Sequence, residues 1–226
     1  MRFTCEKNML VTGLNIAGRT VAQKSSLSVI EGILCKAGQG LSLTGYNMET
    51  AITYEIDADV SDMGQCILPA KLFGDIIRRM PDDMITFTAD EKMMVHVSCG
   101  DADFDILGLS AADYPDLPEV EDEYAVSMQQ KVLRSMIEEV AFAVSTNESR
   151  PVHTGALFEI ADMSLSMVAV DGFRLAFRRE KLEKLEGGAF SFVCPGSALS
   201  EVKSICGDTE DLVTVTLGKR HILFEI

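Results

Sequence analysis

Much of what bounds this 226-residue sequence is absent from it. No apolar run approaches the roughly 18–20 residues that span a bilayer. The first residues, MRFTCEKNML, lack the basic-then-apolar pattern of a secretory signal. Together these absences predict a soluble, cytoplasmic protein with no membrane partner. The six cysteines (Cys5, Cys35, Cys66, Cys99, Cys194, Cys206) contain no C-x-x-C and no histidine at ligand spacing. Reduced, mostly buried thiols acting as small hydrophobes are therefore expected. The three histidines (His96, His153, His221) form no H-x-x-x-H or H-E-x-x-H pair, and no serine lies in a G-x-S-x-G setting. The signatures of metal and nucleophilic catalysis are missing, and no cofactor is implied.

Positive charge is also scarce. Lys and Arg number 20 against 35 Asp and Glu, a net charge of −15. Taken globally this argues against a nucleic-acid binder, since phosphate affinity comes from Lys and Arg neutralising charge. A net charge does not locate its charges, however. Much of the acid lies in AADYPDLPEVEDEY (111–124), a Pro- and acid-rich stretch that reads as a linker. Elsewhere Arg19, Lys71, Arg78, Arg79, Lys131, Arg134 and Lys203 fall on predicted helix faces opposite the apolar stripes. Composition alone reads these as solvated faces.

What the sequence does contain is a repeat. Sliding it against itself by about 123–128 residues aligns its halves across the linker. FTCEKNML (3–10) falls on VSMQQKVL (126–133), and LSVIEGILCK (27–36) on RPVHTGALFE (150–159), matching Gly32 to Gly155. LSLTGYNMETA (41–51) falls on LSMVAVDGFRL (165–175), and LPAKLFGDIIRRM (68–80) on VCPGSALSEVKSI (193–205), proline on proline. Each copy reads as strand, helix, alternating strands, second helix and closing strand pair. The helical stripes are Leu10, Leu14, Ala17 and Val21, then Leu133, Ile137, Val140 and Val144, with Leu72, Phe73, Ile76, Ile77 and Met80 on the second helix of the first copy. The fold class is α+β, two helices covering an antiparallel sheet in each copy. The first copy ends with an extra strand, ADFDILGLS, that the second lacks, so the second copy reads as incomplete and the chain as a fragment of a longer protein.

Three short motifs invite chemistry. Asp101, Asp103 and Asp105 alternate in DADFDI, but an EF-hand loop needs glycine at its sixth position and glutamate at its twelfth, where this chain has Ile106 and Ala112. A solvated strand face is the better reading. GQGLSLTG (38–45) has the glycines of a phosphate loop but precedes alternating residues rather than a helix, which favours a hairpin turn. AVDGFRLAF (169–177) sets an Asp-Gly pair beside an arginine between apolar residues. Asp171 and Gly172 read as a turn rather than as catalytic groups.

Several matched stretches, in order and at the right spacing, resemble one family, the β subunit of bacterial DNA polymerase III, the sliding clamp. They are SSLSVIEGILCK (25–36), LPAKLFGDIIRRMPDD (68–83), LSAADYPDLP (109–118), VAFAVSTNESRPVHTGALFEI (140–160) and VAVDGFRLAFRRE (168–180). The resemblance covers the whole chain. It implies clamp domain 1 at 1–120, a linker at 121–123, most of domain 2 at 124–226, and no third domain. Family members close into a head-to-tail dimeric ring of six such domains, helices inside and sheets outside, around double-stranded DNA. Such a ring is a processivity factor and not an enzyme. A ring holds DNA topologically, so a few inward basic residues suffice, and no sequence readout is implied.

Carried over by position, the resemblance assigns DNA contacts to Lys24, Lys71, Asn147, Arg150, Pro151 and Val152. Some members have aromatics at 151–152 and basic residues at Gly196 and Ser197. It assigns a partner-peptide pocket, where the polymerase subunit and the clamp loader dock short apolar motifs, to His153, Val170, Gly172, Phe173, Arg174 and Leu175. This chain has Val-Asp-Gly-Phe-Arg-Leu where many members have Thr-Asp-Gly-His-Arg-Leu, and His153 stands where leucine is common. Phe104 and Ile106 match the edge strand that pairs with the other subunit in the homodimer. Without a third domain this chain is expected not to dimerise head to tail. The alternative reading is a clamp-fold peptide-binding scaffold that does not encircle DNA. A metal-dependent hydrolase using the aspartate strand ranks third.

Overall fold

The computed structural model describes residues 1–120 and 124–226, so the predicted 121–123 linker lies outside the described residues. The chain forms two compact units, Met1–Leu117 and Pro118–Ile226.

The first unit runs β1 (Arg2–Glu6), α1 (Lys7–Ala17), β2 (Gly32–Ala37), β3 (Leu41–Tyr46), β4 (Ala51–Ile56), β5 (Asp59–Asp62), β6 (Gly64–Pro69), α2 (Ala70–Arg79), β7 (Met84–Ala89), β8 (Met94–Cys99) and β9 (Ala102–Leu107). The second runs β10 (Tyr124–Gln129), α3 (Gln130–Val140), β11 (Gly155–Ala161), β12 (Ser164–Val170), β13 (Leu175–Lys181), β14 (Lys184–Glu186), β15 (Phe190–Pro195), α4 (Gly196–Ile205), β16 (Leu212–Leu217) and β17 (Ile222–Glu225). The strands form two sheets in each unit, in the orders β5-β1-β7-β8-β9 and β4-β3-β2-β6, then β14-β10-β16-β17 and β13-β12-β11-β15. The repeat is thus reproduced strand for strand up to β8, with β9 unmatched among the described residues of the second unit. Its offset drifts from 123 at the first helices (Lys7 to Gln130) to 128 at β7 and β16 (Met84 to Leu212). The α+β class and the antiparallel pairing are as the pattern predicts, but two sheets share the work of the one expected. A period of two shows which face a residue takes and not which strand lies beside it.

The helices begin alike. Neither α1 nor α3 has a side-chain N-cap, and in each case the loop after the second helix supplies a carbonyl. Lys7 N–H donates to the Asp83 carbonyl at 3.2 Å, and Gln130 N–H to that of Asp211 at 2.8 Å. This satisfies a donor that a helix start otherwise leaves open. Leu10, Leu14 and Ala17 are buried on α1, and Leu133, Met136, Ile137 and Val140 on α3. Val21 and Val144 lie past the helix ends. On α2 the buried stripe is Phe73 and Ile77 with Met80 just beyond the helix, whereas Leu72 is half exposed, one position off the stripe.

One matched glycine has a clear cause. A Cβ on Gly32 would meet the Leu68 carbonyl oxygen at 2.8 Å, and one on Gly155 would meet that of Cys194 at 2.3 Å. In both units the strand entering the second sheet starts against the main chain of its neighbour, and only glycine fits. Each unit has its own apolar core. The first is built on Phe3, Phe73 and Phe87, with the Phe3 and Phe87 rings stacked at 4.6 Å, and the second on Phe158, Leu133 and Ile137. All six cysteines are buried and free. Burial pushes the thiols of Cys5 and Cys194 up to about 12, those of Cys66 and Cys206 to about 11, and that of Cys35 well upward. Such thiols are poor nucleophiles.

The first sheet of unit 1 ends on β9. Among the described residues unit 2 has no strand in that place, and β17 is its edge. No helix among the described residues is long and apolar enough to cross a membrane.

Candidate functional site

The AVDGFRLAF stretch forms the tip between β12 and β13, in the hairpin whose ladder closes on Val170 opposite Leu175. Asp171 builds the turn. Its Oδ1 accepts from the backbone N–H of Phe173 and of Arg174, both at 3.1 Å, and its Oδ2 accepts from Arg174 Nε at 2.7 Å. The Phe173 amide, seconded by the side chain and amide of Arg174, holds the Asp171 carboxyl below its usual range against the opposing effect of burial. Gly172 sits at φ +90, in the left-handed region that glycine enters at least cost. Asp171 and Gly172 therefore shape the backbone.

The turn lifts apolar groups into solvent. Phe173 is fully exposed and Leu175 is 64% exposed. Behind them the outer face of the sheet continues apolar. Phe177 pairs across Val168, which pairs across Leu157, which pairs across Val193, and Phe177 is itself 56% exposed. The structure thus brings Val170, Gly172, Phe173, Arg174 and Leu175 to one hairpin end as a projecting wall. His153 enters the same sheet from the 3-10 turn Pro151–Thr154 before β11. Its backbone closes the loop that precedes it, the N–H donating to the Arg150 carbonyl at 2.9 Å and the carbonyl accepting from Ser145 N–H at 2.8 Å. Among the described residues no hydrogen bond or ring contact joins it to the hairpin.

Two residues of this region escape reading by type alone. Phe177 looks like a core strand residue yet faces out. Phe142, in the 3-10 turn Ala141–Ala143 after α3, is 56% exposed, and its ring centroid lies 5.5 Å from the guanidinium carbon of Arg174. The repeat is the signal that could have found Phe142, because its counterpart in the first copy is Arg19.

The cationic candidates divide unevenly. Lys24 is exposed in the loop after α1, and Lys71 is exposed in the first turn of α2. Neither makes a hydrogen bond or ion pair among the described residues. The repeat sets Asn147 opposite Lys24 and Ser197 opposite Lys71. Asn147 is used locally, its Oδ1 accepting from Ser149 N–H at 3.0 Å and its carbonyl from Arg150 N–H at 3.3 Å. Arg150, Pro151 and Val152 are exposed around it. Helix charge follows the same division. α1 carries Lys7 alone, and α2 carries Lys71, Arg78 and Arg79 against Asp75. α3 balances Lys131 and Arg134 with Glu138 and Glu139, and α4 balances Lys203 with Glu201. In a strongly acidic chain the helices of unit 1 are net positive. Some of these cations are engaged. Arg78 bonds Asn15 at 3.1 Å and Asp75 at 2.7 Å, holding the Asp75 carboxyl below its usual range, and Lys131 does the same to Glu210 at 2.7 Å.

On β9 Phe104 is 42% exposed, while Ile106 is 2% exposed and belongs to the core of its own unit. As the end strand of its sheet, β9 leaves one main-chain edge unpaired among the described residues. Asp103 and Asp105 lie exposed on the opposite face of that strand, Asp105 paired with His96 at 2.9 Å. Among the described residues no group of three or more His, Cys, Asp or Glu could hold a metal ion. Gly38 to Gly40 close the β2–β3 hairpin, the Gly38 N–H donating to the Gly40 carbonyl at 2.8 Å.

Comparison with known proteins places the fold. The family described as DNA polymerase III beta subunit, N-terminal domain, matches residues 1–118, and the central domain of the same subunit matches residues 127–226. The beta sliding clamp of Halalkalibacterium halodurans is 31% identical over the whole chain. The solved sliding clamp of Bacillus subtilis superposes on the whole chain with a TM-score of 0.95 at 28% identity. A Pseudomonas aeruginosa sliding clamp solved bound to griselimycin superposes on 98% of the chain with a TM-score of 0.91 at 27% identity, the match covering 61% of that clamp. The chain spans 62% of the length of the first two relatives. By its sequence and by the fold of both units, this chain belongs to the DNA polymerase III beta subunit family.

Proposed function

We propose that this chain supplies two of the domains of a sliding clamp, a non-catalytic ring that encircles duplex DNA and tethers a replicative polymerase and other partners. The observation that carries this is the placement of charge on a clamp fold. The net positive helices α1 and α2, with Lys24 and Lys71 both exposed, stand out in a chain of net charge −15. A ring needs few phosphate contacts because it cannot fall off sideways, so a mostly acidic exterior is compatible with its task and the salt dependence of its DNA contacts is shallow. Phosphate contacts from Lys24 and Lys71, with Asn147, Arg150, Pro151 and Val152 as a weaker second set, carry no base information.

The exposed hairpin end is the docking site in this reading. Val170, Gly172, Phe173, Arg174 and Leu175, with His153 beside them, form one wall for a short apolar peptide, whose main chain finds polar groups at the rim. Phe173 makes the wall more apolar than a histidine would. The griselimycin complex of the related Pseudomonas aeruginosa clamp supports a ligand-binding role for this family. In the full ring β9 pairs through its edge with the second subunit.

The test is topological. A chimaera carrying the remaining part of the Bacillus subtilis relative after Ile226 is loaded on nicked circular duplex, and the circle is then cut once. Release on cutting is the expected result. Retention on the linear DNA, or no loading on the circle, contradicts encirclement, and the second outcome favours a peptide-binding scaffold. The chain ending at Ile226 is expected to stay monomeric by light scattering.

A further inference from the structure

The two units contain the same turn with different side chains around it. In unit 1 Asn47 Oδ1 accepts from Glu49 N–H at 3.0 Å and from Thr50 N–H at 2.8 Å, and Met48 holds φ +74. In unit 2 Asp171, Gly172, Phe173 and Arg174 repeat this geometry. The turn therefore forms without an arginine at its fourth position and without an aromatic after the preceding helix, since unit 1 has Thr50 and Arg19 at those places. The Arg174–Phe142 contact is not needed to make the backbone. It acts on the Arg174 side chain.

That side chain is held from two directions. Its Nε donates to Asp171 Oδ2 at 2.7 Å, and its guanidinium carbon lies 5.5 Å from the centroid of the Phe142 ring. Among the described residues neither Nη makes a hydrogen bond. Arg174 is 55% exposed, so an unclamped arginine there would sample many rotamers and bind any acceptor only after ordering itself. We propose that Phe142 is a positioning residue: with Asp171 it fixes the Arg174 guanidinium so that its free Nη groups are preset donors for a backbone carbonyl of a bound peptide. The Asp171 carboxylate already offsets the guanidinium charge, which favours a dipolar carbonyl over a second carboxylate as the acceptor. The inference rests on the peptide-docking reading of this hairpin.

The experiment uses the 226-residue chain and the variants Phe142→Leu and Phe142→Tyr, with griselimycin as the probe. The Arg174 Nε–H signal and the Phe173 and Arg174 amides are followed by NMR, and affinity by calorimetry. In F142L the Nε–H should broaden and exchange several-fold faster while both amides stay in place. Griselimycin should bind roughly two- to fivefold more weakly, the size of an exposed cation–π contact. F142Y should restore both. An Nε–H unchanged in F142L, or loss of both tip amides together with it, would overturn the proposal. If the native chain does not bind griselimycin, the docking reading fails, while the Nε–H comparison still decides whether Phe142 holds the arginine.

Discussion

The two units share one fold and differ in what they expose. Strand orders agree apart from β9, the helices start on the equivalent loop carbonyl, and Gly32 and Gly155 meet the same obstacle. What differs lies on the surface. Unit 1 carries Lys24, Lys71 and net positive helices where unit 2 has Asn147, Ser197 and balanced ones. Unit 2 carries Phe173, Leu175 and the Arg174–Phe142 contact where unit 1 has Glu49, Ala51, Thr50 and Arg19. A duplicated scaffold lets each copy change its exposed residues while the buried ones keep the fold. In this account one copy provides most of the DNA contacts and the other docks partners.

The largest effect that probes this comparison is on the cores. Leu10→Ala and Leu133→Ala each remove a fully buried side chain from a matched place, at a cost of roughly 2–5 kcal/mol. Hydrogen exchange resolved by residue should show each substitution weakening its own unit first. Equal loss in both units would mean that the two cores are a single cooperative one. Next comes charge. Lys24→Ala with Lys71→Ala should lower duplex affinity and flatten its salt dependence by about 0.9 in log–log slope for each phosphate no longer neutralised. Asn147→Ala with Ser197→Ala should leave that slope unchanged, and a matching drop would erase the asymmetry.

Much of this comparison is legible in the amino-acid sequence, and the rest has physical reasons for being hidden there. The repeat shows in ordered strand, helix and turn signals. The Asp171-Gly172 turn shows because a short acceptor before glycine is turn chemistry at any location. The division into two sheets does not show, because neighbours in a sheet are chosen by tertiary packing. Leu72 is misplaced by pattern for a related reason: an apolar residue one step off a helical stripe reads the same whether buried or exposed. Phe142 escapes notice because an aromatic beside alanines resembles core.

Smaller effects sharpen the turn itself. Gly172→Met forces a side chain into φ +90, where Met48 already sits at φ +74 in the other unit. It should cost about 1 kcal/mol in thermal unfolding, and Met48→Gly should change stability by less. The mildest perturbation is acid. Because its folded value is depressed, Asp171 stabilises the tip fully above the ordinary 3.8, and this support is lost as pH falls through the lower folded value. The Phe173 and Arg174 amide shifts should therefore stay constant from neutrality to near pH 4 and move only below it. Movement centred above 3.8 would contradict the hydrogen bonds assigned to Asp171.

The division of labour is tested most directly by one NMR map of the 226-residue chain titrated in turn with a short duplex DNA and with griselimycin. DNA should shift the signals around Lys24 and Lys71 first and most, while griselimycin should shift Val170 to Leu175 and leave the lysine loop untouched. DNA shifts equal in both units, or griselimycin shifts centred away from the β12–β13 hairpin, would contradict that division.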